Sequence, residues 1–213
     1  MTSSMQGSQE FEAIAASMKK AAAALRDADV EFALAGSLAS WARGGPGTTH
    51  DLDFVVREED AQRAVDALAA AGMRPEEPPE EWLLKAVDEN DVLVDVIFGP
   101  SGVEADAVLA NAEVLNVLSM ELPVMAIEDL IVTKVLSLTE HSLDYGRLLE
   151  MARALREQID WQAVRRRTAE SPFAEAYFVL LDRLGIVESP AGRGEAGSGE
   201  RVHVEVTRAS EGR

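Results

Sequence analysis

Three aspartates are the residues of this sequence whose types and spacing point most directly to chemistry. Asp51 and Asp53 stand two residues apart at the start of an alternating, β-branched run. Side chains at this spacing in a strand point to the same face, so both carboxylates project together. The two carboxylates repel each other unless a cation or a proton lies between them. In proteins a divalent ion with oxygen ligands is the group that usually occupies such a position. The alternative interpretation is a solvated strand end.

Asp95 stands inside an otherwise apolar run, residues 92–98. Burial of a lone carboxylate there costs several kcal/mol unless it is paired, protonated or bound to a metal. A strand beside that of Asp51 would bring Asp95 to the same ion site as a third carboxylate, the arrangement that two-metal phosphoryl transfer uses. An edge-strand aspartate facing water is the alternative.

Gly36 and Ser37 follow the short apolar segment 30–35 and precede a predicted helix, residues 38–43. The free N–H groups and the dipole of a helix start favour a phosphate, and the glycine lets it approach the backbone. A Gly-Ser pair is also an ordinary turn, and Ser37 is a good N-cap residue.

The surrounding pattern predicts the elements that must hold these residues. A helix over residues 11–28 comes first, and strands follow at 30–35 and 51–56 with a glycine-rich loop, 44–47, before the second. A helix over 58–71 ends at Gly72, and the proline-rich stretch 75–81 is predicted as an exposed connection. Residues 82–87 and 92–98 flank a polar cluster and predict an antiparallel hairpin.

The rest of the chain is predicted to be mainly helical. One short strand is expected near 113–118, and helical periodicity follows over 127–138, 143–155, 161–168 and 173–184. Residues 188–213 have few large apolar side chains and are predicted to be a disordered tail.

Composition excludes several classes of function. The 213 residues contain no cysteine, which removes disulfides, thiolate metal sites and cysteine nucleophiles. The net charge of −18 disfavours indiscriminate nucleic-acid binding. The polar amino terminus and the lack of a long apolar run predict a cytoplasmic protein with no membrane segment.

Together these motifs resemble the nucleotidyltransferase superfamily of the polymerase-β type. The residues that carry the resemblance are an apolar residue with Gly36-Ser37, an interval of about a dozen residues, Asp51-x-Asp53, and Asp95 on a later strand. A looser similarity, through residues 128–134, extends to small nucleotidyltransferases of the AbiEii toxin type.

The resemblance implies a metal-dependent transfer of a nucleoside monophosphate to an acceptor hydroxyl. Asp51, Asp53 and Asp95 would hold two Mg²⁺ ions, with Mn²⁺ as the alternative, and would be the catalytic residues. The nucleoside triphosphate, ATP among the candidates, would contact five other residues: Gly36, Ser37, Arg43, Thr49 and Lys134. Many relatives carry an arginine shortly before the Thr that precedes Asp-x-Asp. Here Gly47 and Thr48 occupy that region, so Arg43 is the nearest candidate.

The fold implied is α+β: a nucleotidyltransferase-like mixed sheet flanked by helices, with a carboxy-terminal helical bundle and a disordered tail. We place the catalytic domain at residues 1–125, the helical domain at 126–187 and the tail at 188–213. His50 is expected to position the motif at most. Lys134, in a mostly apolar helix, would either meet the triphosphate or face solvent.

The sequence leaves the acceptor open among tRNA, a protein and a small molecule, and the chain could be the toxin of a toxin–antitoxin pair with an antitoxin partner. Residues 165–167, three consecutive arginines, could dock RNA or form a solvated helix face. Two other functions remain: a glycosyltransferase that uses Asp-x-Asp, and a catalytically silent nucleotidyltransferase fold that binds nucleotide or a protein. A glycosyltransferase would leave Asp95 and Gly36 without a role.

Overall fold

The computed structural model describes residues 2–47 and 51–187. Thr49, His50 and the predicted tail, residues 188–213, lie outside the described residues. Within them the α+β prediction is confirmed, because one mixed sheet carries helices and a helical bundle follows it.

Seven strands form one sheet in the order β3-β4-β5-β2-β1-β7-β6. Their bounds are β1 Ala33–Leu34, β2 Asp51–Val55, β3 Arg74–Glu76, β4 Leu83–Val87, β5 Leu93–Ile97, β6 Glu113–Val117 and β7 Met120–Val124. β2 runs parallel to β5 and antiparallel to β1, so the two strands that carry the aspartates are neighbours.

The helices are α1 Thr2–Asp27, α2 Gly36–Ala42, α3 Glu58–Ala70, α4 Ala105–Asn111, α5 Ile127–Leu136, α6 Tyr145–Leu155, α7 Trp161–Arg167 and α8 Pro172–Arg183, with a 3₁₀ turn at Arg156–Gln158. α3 ends just before Gly72, whose positive φ of 88° fits the predicted glycine C-cap. All four predicted carboxy-terminal helices are present.

Three elements were not predicted: β3, α4 and β7. β3 contains Pro75, but it is an edge strand, where proline is tolerated. β7 was not predicted because it contains Pro123. β7 pairs with β1 only at Leu34 and Val124, so Pro123 does not have to donate a hydrogen bond to β1. The turn between β6 and β7 places Leu118 and Ser119 at positive φ, 52° and 67°, without the Asn or Gly that usually marks such a turn.

The two faces of β2 and β5 differ in character. The even-numbered side chains Leu52, Phe54, Val94 and Val96 are fully buried, and α1 and α3 pack against the sheet. The odd-numbered side chains of the same strands include the three aspartates. In the part of the chain that the structure describes, no helix combines the length and the apolar character that a membrane crossing requires.

The carboxy-terminal helices form a bundle around Tyr177. This side chain has no exposed surface, and its hydroxyl donates to the Leu148 carbonyl at 3.1 Å. Tyr145 stacks on Tyr177 and donates to the Phe173 carbonyl at 3.0 Å. α5 contacts α6, α7 and α8, and also α2 of the sheet domain, so it links the bundle to the predicted site.

Candidate active site

A row of charged side chains crosses three adjacent strands. The parallel register of β2 and β5 pairs Asp53 with Asp95, and the antiparallel register of β4 and β5 pairs Asp95 with Lys85. Paired residues on neighbouring strands point to one face, and Asp51 shares that face because it lies two residues before Asp53. The three aspartates therefore share one face of the sheet, and their convergence on a common ion stays a prediction.

Lys85 contacts the third aspartate directly. Its Nζ atom lies 3.2 Å from Oδ1 and 3.3 Å from Oδ2 of Asp95. The Lys85 side chain is 18% exposed and that of Asp95 is 13% exposed, so the pair is largely withdrawn from water. Burial raises the pKa of Asp95, while the hydrogen bonds and charge of Lys85 act in the opposite direction.

Gly36 fits against Asp53. Its φ is +62°, and a Cβ built on it would overlap the Asp53 carboxylate. The preceding residue, Ala35, donates its N–H to the Asp53 carbonyl at 2.8 Å, which fixes the approach of the two segments. Glycine is therefore required here both for its backbone conformation and for the space that it leaves.

Asp53 is the most perturbed acid of the site. Burial, followed by the neighbouring charges of Asp95 and Asp51, raises its pKa to about 6, although the positive charges of Lys134 and Lys85 lower it. No hydrogen-bond donor among the described residues reaches its carboxylate. Asp53 is thus a partly buried acid whose charge lacks a direct partner.

The donor set fits a divalent cation in type and in charge. Carboxylate oxygens are the ligands that Mg²⁺ and Mn²⁺ prefer, and a cation would offset both the burial and the repulsion that raise the pKa of Asp53. Between residues 2–47 and 51–187, however, no three acidic or histidine side chains are close enough to form a ready-made metal site. Lys85 holds the third of the expected ligands, Asp95.

A cavity of about 200 Å³, which we call the strand-side cavity, opens beside Asp53. Gly36, Asp53 and Lys134 of α5 are among the residues that line it. Lys134 is partly buried, and its charge acts on Asp53. Lys134 therefore lies where the predicted contact with a triphosphate can form, and that contact stays a prediction.

A second cavity of about 440 Å³ shares Lys134, and we call it the helix-side cavity. Ser37, Ser40, Gly47 and Arg147 are among the residues that line it. Ser40 is only 4% exposed, and its hydroxyl has no hydrogen-bond partner among the described residues. Two hydroxyls, two cations and the Glu150 carboxylate therefore line this space.

The structure does not bring Arg43 to either cavity. Its guanidinium donates to the Met125 carbonyl at 3.0 Å and the Val124 carbonyl at 3.3 Å, and it pairs with Glu113 at 3.1 Å. The side chain is 6% exposed, so Arg43 joins α2 to β6 and β7. Its donors are thus committed to the fold, and Arg43 is not among the proposed nucleotide contacts.

Two arginines of the 165–167 cluster have structural partners. Arg167 pairs with the buried Asp129 at 2.5 Å, and the Arg165 guanidinium lies 4.0 Å from the centre of the Phe178 ring. These contacts join α7 to α5 and α8. Two of the three guanidinium groups are therefore engaged within the helical bundle.

Sequence reasoning missed Lys85 and Glu80. Lys85 interrupts the apolar segment Leu83–Val87, which is the same kind of signal that identified Asp95. The Glu80 charge also acts on Asp95, and its Oε2 atom is buried without a hydrogen-bond partner among the described residues. No sequence pattern indicated Glu80, because it lies in the proline-rich connection before β4.

Comparison with known proteins identifies a family and a shared fold. The profile of a family described as uncharacterised nucleotidyltransferase matches residues 48–184. The solution structure of the antibiotic-resistance factor ANT(2'')-Ia is 16% identical, with a TM-score of 0.56, over 82% of this chain and 98% of that chain. Its crystal structure with adenylyl-2''-tobramycin is also 16% identical, with a TM-score of 0.56, over 78% of this chain and 99% of that chain. This similarity shows a shared fold. No curated protein sequence matches the chain significantly.

Proposed function

The chain belongs to the uncharacterised nucleotidyltransferase family, and we propose that it transfers a nucleoside monophosphate from a nucleoside triphosphate to an acceptor hydroxyl. The acceptor oxygen forms a bond to the α-phosphorus, and the bond from that phosphorus to the α,β-bridging oxygen breaks. Pyrophosphate leaves with this oxygen. The hydroxyl proton passes to a nearby carboxylate or to water, and Asp95 is the carboxylate that we assign to this role.

Asp51, Asp53 and Asp95 would hold the divalent ions. These ions, when bound, supply positive charge that stabilises the entering and leaving oxygens. Gly36 leaves room for the Asp53 carboxylate, and Gly36, Ser37, Thr49 and Lys134 would contact the oxygens of the triphosphate. In the helix-side cavity the Ser40 hydroxyl, Arg147 and Lys134 would contact the β- and γ-phosphates, and the two cations there outnumber the single carboxylate of Glu150.

The observation that carries the proposal is the register of Asp53 beside Asp95, with Gly36 packed against Asp53 and Lys134 lining the same cavity. A glycosyltransferase with an Asp-x-Asp motif would require neither the third aspartate nor this glycine. A catalytically silent protein with the same fold could bind the nucleotide in the same geometry. Only a measurement of nucleotide transfer distinguishes it from the proposed enzyme.

We expect a small molecule or a protein as acceptor in preference to tRNA. The net charge of −18 repels a nucleic-acid backbone. The only three consecutive arginines in the sequence are engaged at two of their positions by Asp129 and Phe178. The fold shared with ANT(2'')-Ia is a reason to include aminoglycosides among the small molecules tested.

The test is to incubate the full chain with Mg²⁺ or Mn²⁺ and each of the four α-phosphate-labelled nucleoside triphosphates. Candidate acceptors are tRNA, cell protein and a panel of hydroxylated small molecules. We expect labelled acceptor and an equal amount of pyrophosphate, both abolished by a chelator. If the chain binds triphosphate but releases no pyrophosphate with every acceptor class tested, the result would instead support the catalytically silent binding protein.

A further inference from the structure

We propose that Lys85 is an internal counter-ion of the site and competes with the divalent cation for the Asp95 carboxylate. The proposal rests on the metal-dependent function above. It assigns Lys85 a positioning role, because this residue acts through Asp95 and the metal site and not on the substrate.

The contact geometry supports the competition. One ammonium group lies within 3.3 Å of both Asp95 oxygens, so both oxygens that could bind a metal already face a cation. Exposed ion pairs contribute little, but this pair is less than one fifth exposed on either side. A divalent ion that takes an Asp95 oxygen as ligand must displace or weaken this contact, since two cations on one carboxylate repel each other.

The carboxylates around Lys85 explain why a cation at this position would stabilise the folded chain. Asp51, Asp53 and Asp95 share one face of the sheet, and the charge of Glu80 also acts on Asp95. Without a cation, this set of carboxylates would destabilise the folded chain by mutual repulsion. The sequence contains only four lysines, and the two outside α1, Lys85 and Lys134, both lie at the site.

The two lysines act on different aspartates. Lys134 affects Asp53 through its charge, without an ion pair to any described residue. Lys85 forms its direct contact with Asp95. We infer that the metal-free chain uses Lys85 in place of an ion, and that ion binding releases Asp95 from it.

The test is direct titration of Mn²⁺ into the nucleotide-free full chain, with free Mn²⁺ measured by electron paramagnetic resonance. Lys85→Met should bind Mn²⁺ about tenfold more tightly than the parent, because no charged hydrogen bond has to be broken first. Lys85→Arg keeps a cation beside Asp95 and should stay close to the parent. Lys20→Met, at a lysine of α1 that pairs with Glu89, is the matched control and should not change the affinity.

A double-mutant cycle separates competition from a general effect of charge. In an Asp95→Asn background, Lys85→Met should give no further gain in Mn²⁺ affinity, since the carboxylate under competition is absent. An equal gain in both backgrounds would mean that Lys85 acts only through its long-range field, and the proposal would be wrong. An unchanged or weaker affinity in Lys85→Met, or no Mn²⁺ binding by parent and variant alike, would also overturn it.

Melting temperatures keep the test valid if Lys85→Met folds poorly. With a chelator the variant should melt below the parent, and Mn²⁺ should raise its melting temperature by more than it raises that of the parent. Lys85→Met/Asp95→Asn should recover most of the loss, and no recovery would contradict the pairing. Mn²⁺ binding with the expected Lys85 dependence but no nucleotide transfer would refute the proposed function and leave this inference intact.

Discussion

Two aspartates near the sheet, the buried Asp88 and the partly buried Asp53, differ in the partners that surround them. Asp88, between β4 and β5, accepts hydrogen bonds from the Ser17 hydroxyl, from the Asn90 backbone at 2.7 Å and side chain at 3.2 Å, and from the Val92 backbone at 2.9 Å. The Asp53 carboxylate accepts none from a described residue. The carboxylate of Asp88 is thus held by hydrogen bonds within the fold, whereas that of Asp53 has no hydrogen-bond donor among the described residues.

The pKa values of the two residues express this difference. Burial alone would raise the pKa of Asp88, but its hydrogen bonds from Ser17, Val92 and Asn90 together lower it. Burial and neighbouring carboxylates raise the pKa of Asp53 to about 6. An acid with a full set of donors stabilises the fold, whereas one without donors is suited to bind a ligand that supplies the missing charge.

The largest effect is expected from Asp53→Asn. The change keeps the shape of the side chain but removes a ligand charge, so we expect nucleotide transfer to fall by about a thousandfold or more. Without metal, the variant should melt no lower than the parent. Initial rates of pyrophosphate release and thermal melts measure the two effects. Asp66→Asn, on the exposed face of α3, is the control and should retain full activity.

Asp88→Ala should have the opposite outcome, a loss of stability. It leaves several buried donors unpaired and separates α1 from the β4–β5 turn, so we expect the free energy of unfolding to fall by about 2–4 kcal/mol. Urea denaturation measures this change. Glu89→Ala removes only an exposed carboxylate of the same turn, 74% exposed, and a loss as large as that of Asp88→Ala would show that the turn itself, and not Asp88, is responsible.

Asp88 also explains why the site could not be fully predicted. A four-residue turn over residues 88–91, as the sequence suggests, would pair Lys85 with Val94. The Asp88 carboxylate draws the Val92 backbone into the turn, and the observed register pairs Lys85 with Asp95. A shift of one residue moves each side chain to the other face, so the Lys85–Asp95 contact depends on a hydrogen bond that periodicity does not reveal.

Other parts of the fold and site follow from local patterns. The sequence predicted the strand that carries Asp53, the apolar strand around Asp95 and the end of a strand at Gly36. These features depend on strand alternation and turn residues, which are short-range patterns. The functions of Arg43 and Glu80 depend on segments distant in the sequence. Arg43 binds carbonyls some eighty residues away, and no local pattern encodes such a contact.

A further prediction concerns the cation that acts on Asp53. Lys134→Ala should weaken triphosphate binding by about 1.5–3 kcal/mol, the range for a hydrogen bond to a charged group, with little change in unfolding free energy. Calorimetric titration of a non-hydrolysable triphosphate measures the effect, and Lys20→Ala is the control. Equal affinities of Lys134→Ala and the parent would return Lys134 to the role of an ordinary partly buried residue.

The smallest expected effect is a difference in pH dependence between the two aspartates. The pKa of Asp53 is about 6 in the folded chain against an ordinary value of 3.8, so the folded state binds more protons between these values. The free energy of unfolding of the metal-free chain therefore loses the Asp53 contribution as pH rises through that window. Asp88, with a lowered pKa, contributes stability above its unfolded pKa and loses it as pH falls through its folded value.

The measurement is the unfolding free energy of the parent and of Asp53→Asn, with a chelator, from about pH 4 to about pH 7. The variant should be more stable by about 1–2 kcal/mol at the upper end, an amount reduced from the full shift because Asp53 is partly exposed. The advantage should vanish near pH 4, where Asp53 is protonated in the parent too. An advantage that is constant with pH would mean that the amide side chain simply packs better, and that charge on Asp53 is not what destabilises the site.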